Sequence, residues 1–173
     1  ILRRANSDDT LTFEVREDES KFYITMENSS TREFSLPILN LSEDDIPSTD
    51  QLDFNVTANL ETKVLESAIK DALVVGDSVT VSSDGASLTI EAEGDQSNVS
   101  FNIEEGSEGL MDIEGSDASS MFSLDYLNSI TGAKKLSDTV EIRLGQDFPM
   151  RLNFVVPDEA RLSFVLAPRI EED

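Results

Sequence analysis

The sequence contains no cysteine and no histidine, and both absences limit the chemistry that this chain can perform. A chain without cysteine forms no disulfides and no thiolate metal sites. A chain without histidine needs a carboxylate or a lysine with a shifted pKa for acid–base work near neutral pH. Paired carboxylates such as Asp44-Asp45 and Glu104-Glu105 are plentiful, yet neighbours along a strand or loop point apart and form no convergent site. The sequence therefore predicts a protein that is not an enzyme and that uses neither a metal nor another cofactor.

Long apolar runs are also lacking. The apolar stretches extend over only a few residues, which excludes a transmembrane helix, and the first residues have neither the charged nor the apolar zone of a signal peptide. We therefore expect a soluble protein of the cytoplasm. The 173 residues are enough for between one and two small α+β domains, each with an apolar core.

Basic residues are scarce. The chain has 13 lysines and arginines against 36 acidic residues, so its formal net charge is −23, and only five of the 13 are lysines. The acids are scattered along the chain instead of forming one tail. Such a coat is typical of a merely soluble acidic protein, of a nucleic-acid mimic, or of a protein adapted to molar salt, where charge repulsion is screened within a few ångströms. The even scatter and the shortage of lysine favour adaptation to salt.

A pattern of helix end, small residue, aspartate and β-hairpin occurs three times. The copies lie roughly sixty to seventy residues apart, which is typical of a repeated supersecondary unit. In each copy, apolar residues alternate along two arms joined by a turn, and this period of two predicts half-buried antiparallel hairpins. The first arms lie within residues 6–15, 75–81 and 136–144.

Amphipathic helices precede the second and third copies. The first of them is predicted over residues 60–75, with Gly76 placed to end it. The other is predicted to begin after Ser123, a good N-cap residue. Only Ile1-Leu2-Arg3-Arg4-Ala5 precedes the first hairpin, and this segment is typical of the last turn of a helix. We therefore expect the chain to be a fragment that lacks the body of that helix.

The clearest linker is the acidic segment 39–53, which contains Pro47 and follows a strand-like segment at residues 32–36. Such a composition is typical of a crossing between domains. The sequence therefore predicts one domain over residues 1–38, a connecting loop over 39–53 and a second domain over 54–173. The isolated apolar residues of the loop either fix it onto the protein beneath it or contribute to a docking groove.

The order and spacing of several motifs resemble the sliding clamps of the proliferating cell nuclear antigen (PCNA) family, most of all its archaeal members. The resemblance extends over nearly the whole chain, and its last motif is the most specific. The motifs are Leu52-Asp53-Phe54, Gly76-Asp77-Ser78-Val79, Glu91-Ala92-Glu93-Gly94-Asp95, Phe122-Ser123-Leu124-Asp125-Tyr126-Leu127, Phe148-Pro149-Met150 and Leu166-Ala167-Pro168-Arg169-Ile170.

The resemblance implies an α+β DNA-clamp fold, in which repeated helix-plus-hairpin units build antiparallel sheets outside and helices inside a ring of three subunits. Residues 1–38 would be the second half of the N-terminal clamp domain, and residues 54–173 the C-terminal domain. A homotrimeric ring of this kind encircles duplex DNA without reading its sequence and tethers DNA polymerase, clamp loader, ligase and nucleases. The alternative is an acidic β-rich structural or interaction module without a role on DNA.

Helices line the hole in this family, so the resemblance implies that basic residues on or beside them face the DNA. These residues are Arg3, Arg4, Lys63, Lys70, Lys134 and Lys135. Ordinary surface placement is the alternative. Asp125 and Gly132 stand where other clamps often carry basic residues, so we expect a less positive hole whose DNA contacts run through bound cations or water.

The resemblance also implies a pocket for partner peptides, which insert a glutamine anchor together with aliphatic and aromatic side chains beneath the connecting loop. The residues mapped to this pocket are Leu41, Ile46, Pro47, Pro149, Val165, Leu166, Ala167 and Pro168. The tail could also pair with the peptide as an added strand. The alternative is that these residues only seal the second domain.

Subunits in this family join by pairing an edge strand of domain one with an edge strand of the neighbour's domain two. The candidate strands are residues 31–36 and 98–103, and the interface residues within them are Arg32, Phe34, Leu36, Val99, Phe101 and Ile103. A ring both uses and hides such edges, which otherwise invite aggregation. Edge strands protected by their own charges are the alternative.

Overall fold

The computed structural model describes residues 1–39 and 52–169. The chain divides into two compact units, Ile1–Ser48 (unit 1) and Thr49–Asp173 (unit 2). The division falls within the predicted connecting loop 39–53. Nearly all of that loop lies outside the described residues, so its role as a linker between clamp domains stays a prediction.

Unit 1 is an antiparallel meander of three strands in the order β1-β2-β3. The strands are β1 (Thr10–Arg16), β2 (Lys21–Glu27) and β3 (Thr31–Pro37), and a short 3-10 helix, Leu2–Arg4, precedes them. The predicted first hairpin is present, but the expectation that both arms are half-buried is wrong for β1. Phe13 and Val15 are 53% and 58% exposed, because β1 is an edge strand and the stacking of the Phe22 ring on Phe13 (centroids 5.9 Å apart) covers its apolar face only in part.

Unit 2 combines two antiparallel sheets with two short α-helices. Its elements are β4 (Val56–Glu61), α1 (Thr62–Ala72), β5 (Ser78–Ser83), β6 (Ser87–Glu93), β7 (Asn98–Glu104), β8 (Leu110–Gly115), β9 (Ala118–Ser123), α2 (Leu124–Thr131), a 3-10 helix (Gly132–Lys135), β10 (Thr139–Leu144), β11 (Met150–Val156) and β12 (Ala160–Leu166). The strand orders are β12-β11-β10-β4-β8 and β7-β6-β5-β9. Among the described helices, none has the length and apolar character needed to cross a membrane.

An internal repeat interlocks the two sheets. The chain runs strand, helix and three-stranded meander from β4 to β7, and again from β9 to β12. Each meander is extended by the first strand of the other repeat, because β10 pairs with β4 and β5 pairs with β9. One continuous core joins both sheets to the inner faces of α1 and α2, with fully buried residues such as Leu60, Leu65, Phe122, Leu127 and Phe154. The exchange of strands makes unit 2 a single folded body.

Two boundaries differ from the sequence prediction. The predicted helix over residues 60–75 begins at Thr62 and ends at Ala72, and Leu60 lies in β4 opposite Val140. Leu60 fits the helical spacing, but it also continues the strand alternation of Val56 and Ala58, and pairing with β10 decides between them. The second helix begins after Ser123 as predicted, although the Ser123 side chain makes no capping hydrogen bond.

The sequence patterns do not indicate strand β8. Its two buried side chains, Leu110 and Ile113, lie three residues apart instead of two. The pairing with β4 explains this spacing, because Asn59 lies opposite Asp112 while Leu60 lies opposite Leu110, so Met111 is an extra, bulged residue. A bulge shifts the alternation by one residue and hides the strand from a search for a period of two.

Candidate functional site

The helices of unit 2 differ in charge from the rest of the chain. The segments Thr62–Ala72 and 124–135 carry four lysines, against the three acids Glu66, Asp71 and Asp125. The chain as a whole has a net charge of −23, and the other acids of unit 2 within residues 52–169 lie on strands and loops. The helix layer, by which we mean α1, α2 and the 3-10 helix Gly132–Lys135, is therefore a slightly positive surface on a strongly acidic protein.

Three of the four lysines of the helix layer are held by carboxylates. Lys63 Nζ lies 2.8 Å from an oxygen of Glu61, and Lys70 Nζ lies 2.9 Å from Glu66 Oε1. Lys134 Nζ donates to both carboxylate oxygens of Glu66 at 2.7 Å. Lys135 has no ion-pair partner within the described ranges.

These contacts shift the pKa values of Glu66 and Lys63. Hydrogen bonds from Lys134 and then Lys70 hold the pKa of Glu66 below its ordinary value, so the carboxylate stays ionised. The hydrogen bond to Glu61 raises the pKa of Lys63 above its ordinary value. Glu61 of β4 and Glu66 of α1 therefore neutralise much of the positive charge of the helix layer.

The two arginines that the sequence predicts to face DNA lie in unit 1. Arg3 and Arg4 are exposed at the end of the 3-10 helix, and in residues 1–39 neither side chain has an ion-pair partner. The Arg4 carbonyl accepts a 3.0 Å hydrogen bond from Arg32 Nη1. Arg32 also pairs with the nearly buried carboxylate of Asp9, and backbone donation from Asn6, followed by the charge of Arg32, lowers the pKa of Asp9. Arg32 thus fixes the start of this unit from strand β3.

The structure brings together the C-terminal half of the predicted peptide pocket. Met150 lies opposite Leu166 in the β11–β12 ladder, so Pro149 continues the register beside Ala167. Val165 and Ala167 are exposed, and Pro168 is half-buried. The other predicted contributors, Leu41, Ile46 and Pro47, lie outside the described residues.

The segment after β12 crosses to the second sheet. The backbone N–H of Arg169 donates to the Met121 carbonyl at 2.7 Å, and the Arg169 guanidinium pairs with Asp77 at 3.1 Å. These contacts fix residues 167–169 beside the edge strand β9. Contacts on both sides of Ala167 therefore fix its backbone.

Phe54 and Phe148, the residue before Pro149, were not among the predicted pocket residues. Phe54 and Phe148 pack edge to face with ring centroids 5.9 Å apart, and the Arg151 guanidinium lies 5.4 Å from the Phe54 centroid. The Phe148 N–H donates to Ser120 Oγ at 2.9 Å, which positions the Phe148-Pro149 turn. Both rings belong to motifs that carry the family resemblance, yet their contact joins distant parts of the sequence and could not be predicted from either motif alone.

Strand β7 lies at the edge of its sheet, and its hydrogen bonds determine which residues have outward backbone groups. The bonds Gly94 N–H to Ser97 O (2.9 Å) and Glu105 N–H to Ala86 O (3.1 Å) flank the β6–β7 ladder. Because antiparallel pairs alternate, the backbone groups of Val99, Phe101 and Ile103 face β6, and those of Ser100 and Asn102 face away from the sheet. The predicted interface residues of β7 therefore bond to β6 through their backbone. The residues between them have the backbone groups that a neighbouring strand could use.

Strand β3 is the corresponding edge of unit 1. The bonds Asn28 N–H to Ser30 O (3.1 Å) and Ile38 N–H to Ser20 O (2.9 Å) flank its ladder with β2. The backbone groups of Arg32, Phe34 and Leu36 therefore face β2, and those of Glu33 and Ser35 face outward. Pro37, which has no N–H to donate, occupies an outward position, as expected for proline in an edge strand.

Comparison with known proteins agrees with this geometry. The family model for the C-terminal domain of proliferating cell nuclear antigen matches residues 45–169. The chain is 38% identical to the DNA polymerase sliding clamp of Methanopyrus kandleri, over 99% of this chain and 68% of that protein. It is 34% identical to the DNA polymerase sliding clamp of Thermococcus gammatolerans, over 99% of this chain and 69% of that protein.

Solved structures give the same result. PCNA from Thermococcus kodakaraensis superposes with a TM-score of 0.79 at 33% identity, over 97% of this chain and 68% of that one. A PCNA2–PCNA3 complex from Sulfolobus tokodaii gives a TM-score of 0.80 at 29% identity, with the same coverage.

The interlocked antiparallel sheets, with a helix in each repeat, define a DNA-clamp fold, as the sequence predicts. Sliding clamps are a class of scaffold proteins without catalytic activity of their own. The chain belongs to the proliferating cell nuclear antigen family of sliding clamps. In the described residues, no cluster of three or more carboxylates could hold a metal ion.

Proposed function

We propose that this protein is the sliding clamp of a DNA polymerase, which encircles duplex DNA and tethers replication and repair enzymes to it. Membership of the family carries the proposal. The charge distribution supports it, because the helix layer is the surface that carries four of the five lysines of a chain with net charge −23. The alternative of an acidic module without a DNA role does not explain why lysines are concentrated there. Acting on chromosomal DNA, the clamp would work in the cytoplasm at the nucleoid.

A ring holds DNA by topology, so its retention does not require tight contact with phosphates. Phosphate binding weakens steeply with salt, since every neutralised phosphate releases counterions. The retention of a closed ring on DNA does not depend on this phosphate binding. Partner enzymes then need to bind only the clamp, and their processivity follows from the clamp's inability to leave a duplex without free ends.

We expect the protein to be retained on circular DNA and released from linear DNA. The clamp is loaded onto a nicked plasmid by a clamp loader and passed over a sizing column in high salt, before and after a restriction enzyme linearises the plasmid. Co-elution with the circle that is lost on linearisation supports encirclement. Equal release from both forms would contradict it.

We further propose that three copies close the ring by pairing β3 of one copy with β7 of the next. Both strands lie at sheet edges, and both present outward backbone donors and acceptors. An open surface groove of about 460 Å³ lies beside β7 and is lined in part by Val64, Phe101 and Ile103. Apolar side chains of a neighbouring copy could fill this space. The predicted interface residues Phe34 and Leu36 on its strand β3 are the candidates.

Partner enzymes are proposed to dock on the segment 165–168 and on Pro149, as the sequence predicts for a polymerase, clamp loader, ligase or nuclease carrying a clamp-binding peptide. The exposed Val165 and Ala167 support this site. We add Phe54 and Phe148 to it, because Phe148 directly precedes Pro149 and packs against Phe54, and both rings are half-buried and so offer apolar surface.

The acidic coat is proposed to be an adaptation to molar salt. At 0.1 M salt the Debye length is about 10 Å and at 1 M it is about 3 Å, so repulsion between neighbouring carboxylates is strong only at low salt. The outward positions of the strands contribute to this repulsion, with exposed acids such as Glu27, Glu93, Glu104 and Glu114.

We expect the melting temperature to fall as salt is removed, on the order of 10 °C between multimolar and 0.1 M potassium chloride, because unscreened repulsion destabilises the compact state. Scanning fluorimetry across a chloride series measures the change. A parallel series in sorbitol separates charge screening from a general solute effect. A melting temperature that stays constant, or rises, as salt is removed would contradict adaptation to salt.

A further inference from the structure

Glu66 joins two segments of the helix layer. It lies on α1, one turn before Lys70, and it also receives Lys134 from the 3-10 helix that follows α2. Its side chain is only 17% exposed, whereas those of Lys70 and Lys134 are 59% and 41% exposed. One shielded carboxylate therefore holds two lysines that the solvent can reach.

This arrangement is stronger than a surface ion pair. An isolated pair four residues apart on an exposed helix face contributes little to stability. Here both oxygens of one carboxylate accept from Lys134, and one of them also contacts Lys70. Partial burial of the carboxylate reduces screening by water and salt. A phosphate that approaches either lysine must therefore compete with a fixed negative charge at contact distance.

We propose that Glu66 competes with DNA phosphate for Lys70 and Lys134. By holding both lysines against the helix layer, Glu66 lowers the affinity of the clamp for the duplex it surrounds. The inference deepens the proposed function and rests on it, because it requires the helix layer to face DNA. The partner chemistry is the phosphodiester backbone. Glu66 acts through the lysines and is a positioning residue.

Weak contact suits a ring that must slide. Every lysine that neutralises a phosphate adds affinity and salt dependence, but it also adds a contact that must break at each step along the duplex. Retention by encirclement makes such contacts unnecessary. Asp125 adds an exposed negative charge to the same layer, but in the described residues it holds no lysine, so its effect is only that of one more charge.

We expect Glu66→Gln to tighten binding to a fluorescent duplex by about threefold to tenfold, measured by anisotropy at a fixed low chloride concentration. The substitution preserves shape and removes the charge that holds both lysines. The slope of log affinity against log salt should steepen by up to about 1.8, which corresponds to two newly neutralised phosphates at about 0.9 each. Glu66→Asp, which keeps the charge, should stay near the original protein.

Two matched controls separate this effect from general charge. Asp125→Asn removes one charge from the helix layer without releasing a lysine, and Glu93→Gln removes one from the exposed face of β6. Both should change affinity and slope less than Glu66→Gln does. The gain should disappear when Lys70→Gln and Lys134→Gln are added to Glu66→Gln. Thermal melts of all variants confirm that each is folded.

The outcomes distinguish this inference from the proposed function. If Glu66→Gln matches Asp125→Asn in affinity and salt slope, while the original protein is still retained on circular DNA, the competitor role of Glu66 is wrong and the clamp stands. If the original protein is not retained on circular DNA, the proposed function fails. A higher DNA affinity of Glu66→Gln would then show only that two lysines had been released from their carboxylate partner.

Discussion

Replacing Ser100 with proline is expected to convert the proposed ring into single subunits that remain folded. The backbone N–H of Ser100 faces away from β6, so proline removes a donor that only a neighbouring subunit would use. An unsatisfied partner at a buried interface costs about 1–3 kcal/mol, which corresponds to roughly a 5- to 150-fold loss at each junction. A closed ring of three carries this loss at every junction.

Light scattering coupled to size exclusion in multimolar potassium chloride measures the result. Ser100→Ala is the matched control, because it also loses the Ser100 side-chain hydrogen bond to Glu91 (2.8 Å) but keeps the backbone donor. A trimer for Ser100→Ala and a monomer with an unchanged melting temperature for Ser100→Pro would support pairing through β7. If Ser100→Pro stays trimeric, subunits do not join through this edge.

The hairpins and the two helices of unit 2 could be predicted because their signals are local. Alternation along residues 78–83 and 139–144 and the helical spacing after Thr62 are readable from neighbours in the sequence. Strand β8 could not be predicted, because its bulge at Met111 depends on pairing with β4. The position of Leu60 could not be decided either, since two local patterns fit it and only β10 selects one.

The candidate site shows the same division between local and distant information. The spacing of Glu66 and Lys70 is visible in the sequence, because residues four apart share a helix face. The contact of Glu66 with Lys134 depends on how α1 packs against α2. That of Phe54 with Phe148 depends on the pairing of β4 with β10, which brings the start of one strand beside the end of the other. Motif resemblance finds such residues one at a time but does not reveal which of them touch.

Ala167→Phe is expected to abolish most binding of a clamp-binding peptide. Hydrogen bonding of Arg169 to Met121 and pairing of Leu166 with Met150 fix the backbone on both sides of Ala167. The new ring therefore cannot move aside by shifting the chain, and it occupies space that we assign to the peptide's aromatic side chain. Overpacking of this kind costs about 1–3 kcal/mol, which corresponds to roughly a 5- to 150-fold weaker affinity.

Calorimetric titration with a short peptide that carries a glutamine anchor and aliphatic and aromatic side chains measures this loss. Ala160→Phe is the matched control, because Ala160 is an exposed alanine at the start of β12, opposite Val156, whereas Ala167 directly follows the end of that strand. The control should bind like the original protein, and both variants should remain trimeric. Unchanged affinity in Ala167→Phe would place the peptide elsewhere. An equal loss in both variants would mean that β12 as a whole, and not the pocket after its end, governs binding, since only a local pocket can distinguish identical substitutions at opposite ends of the strand.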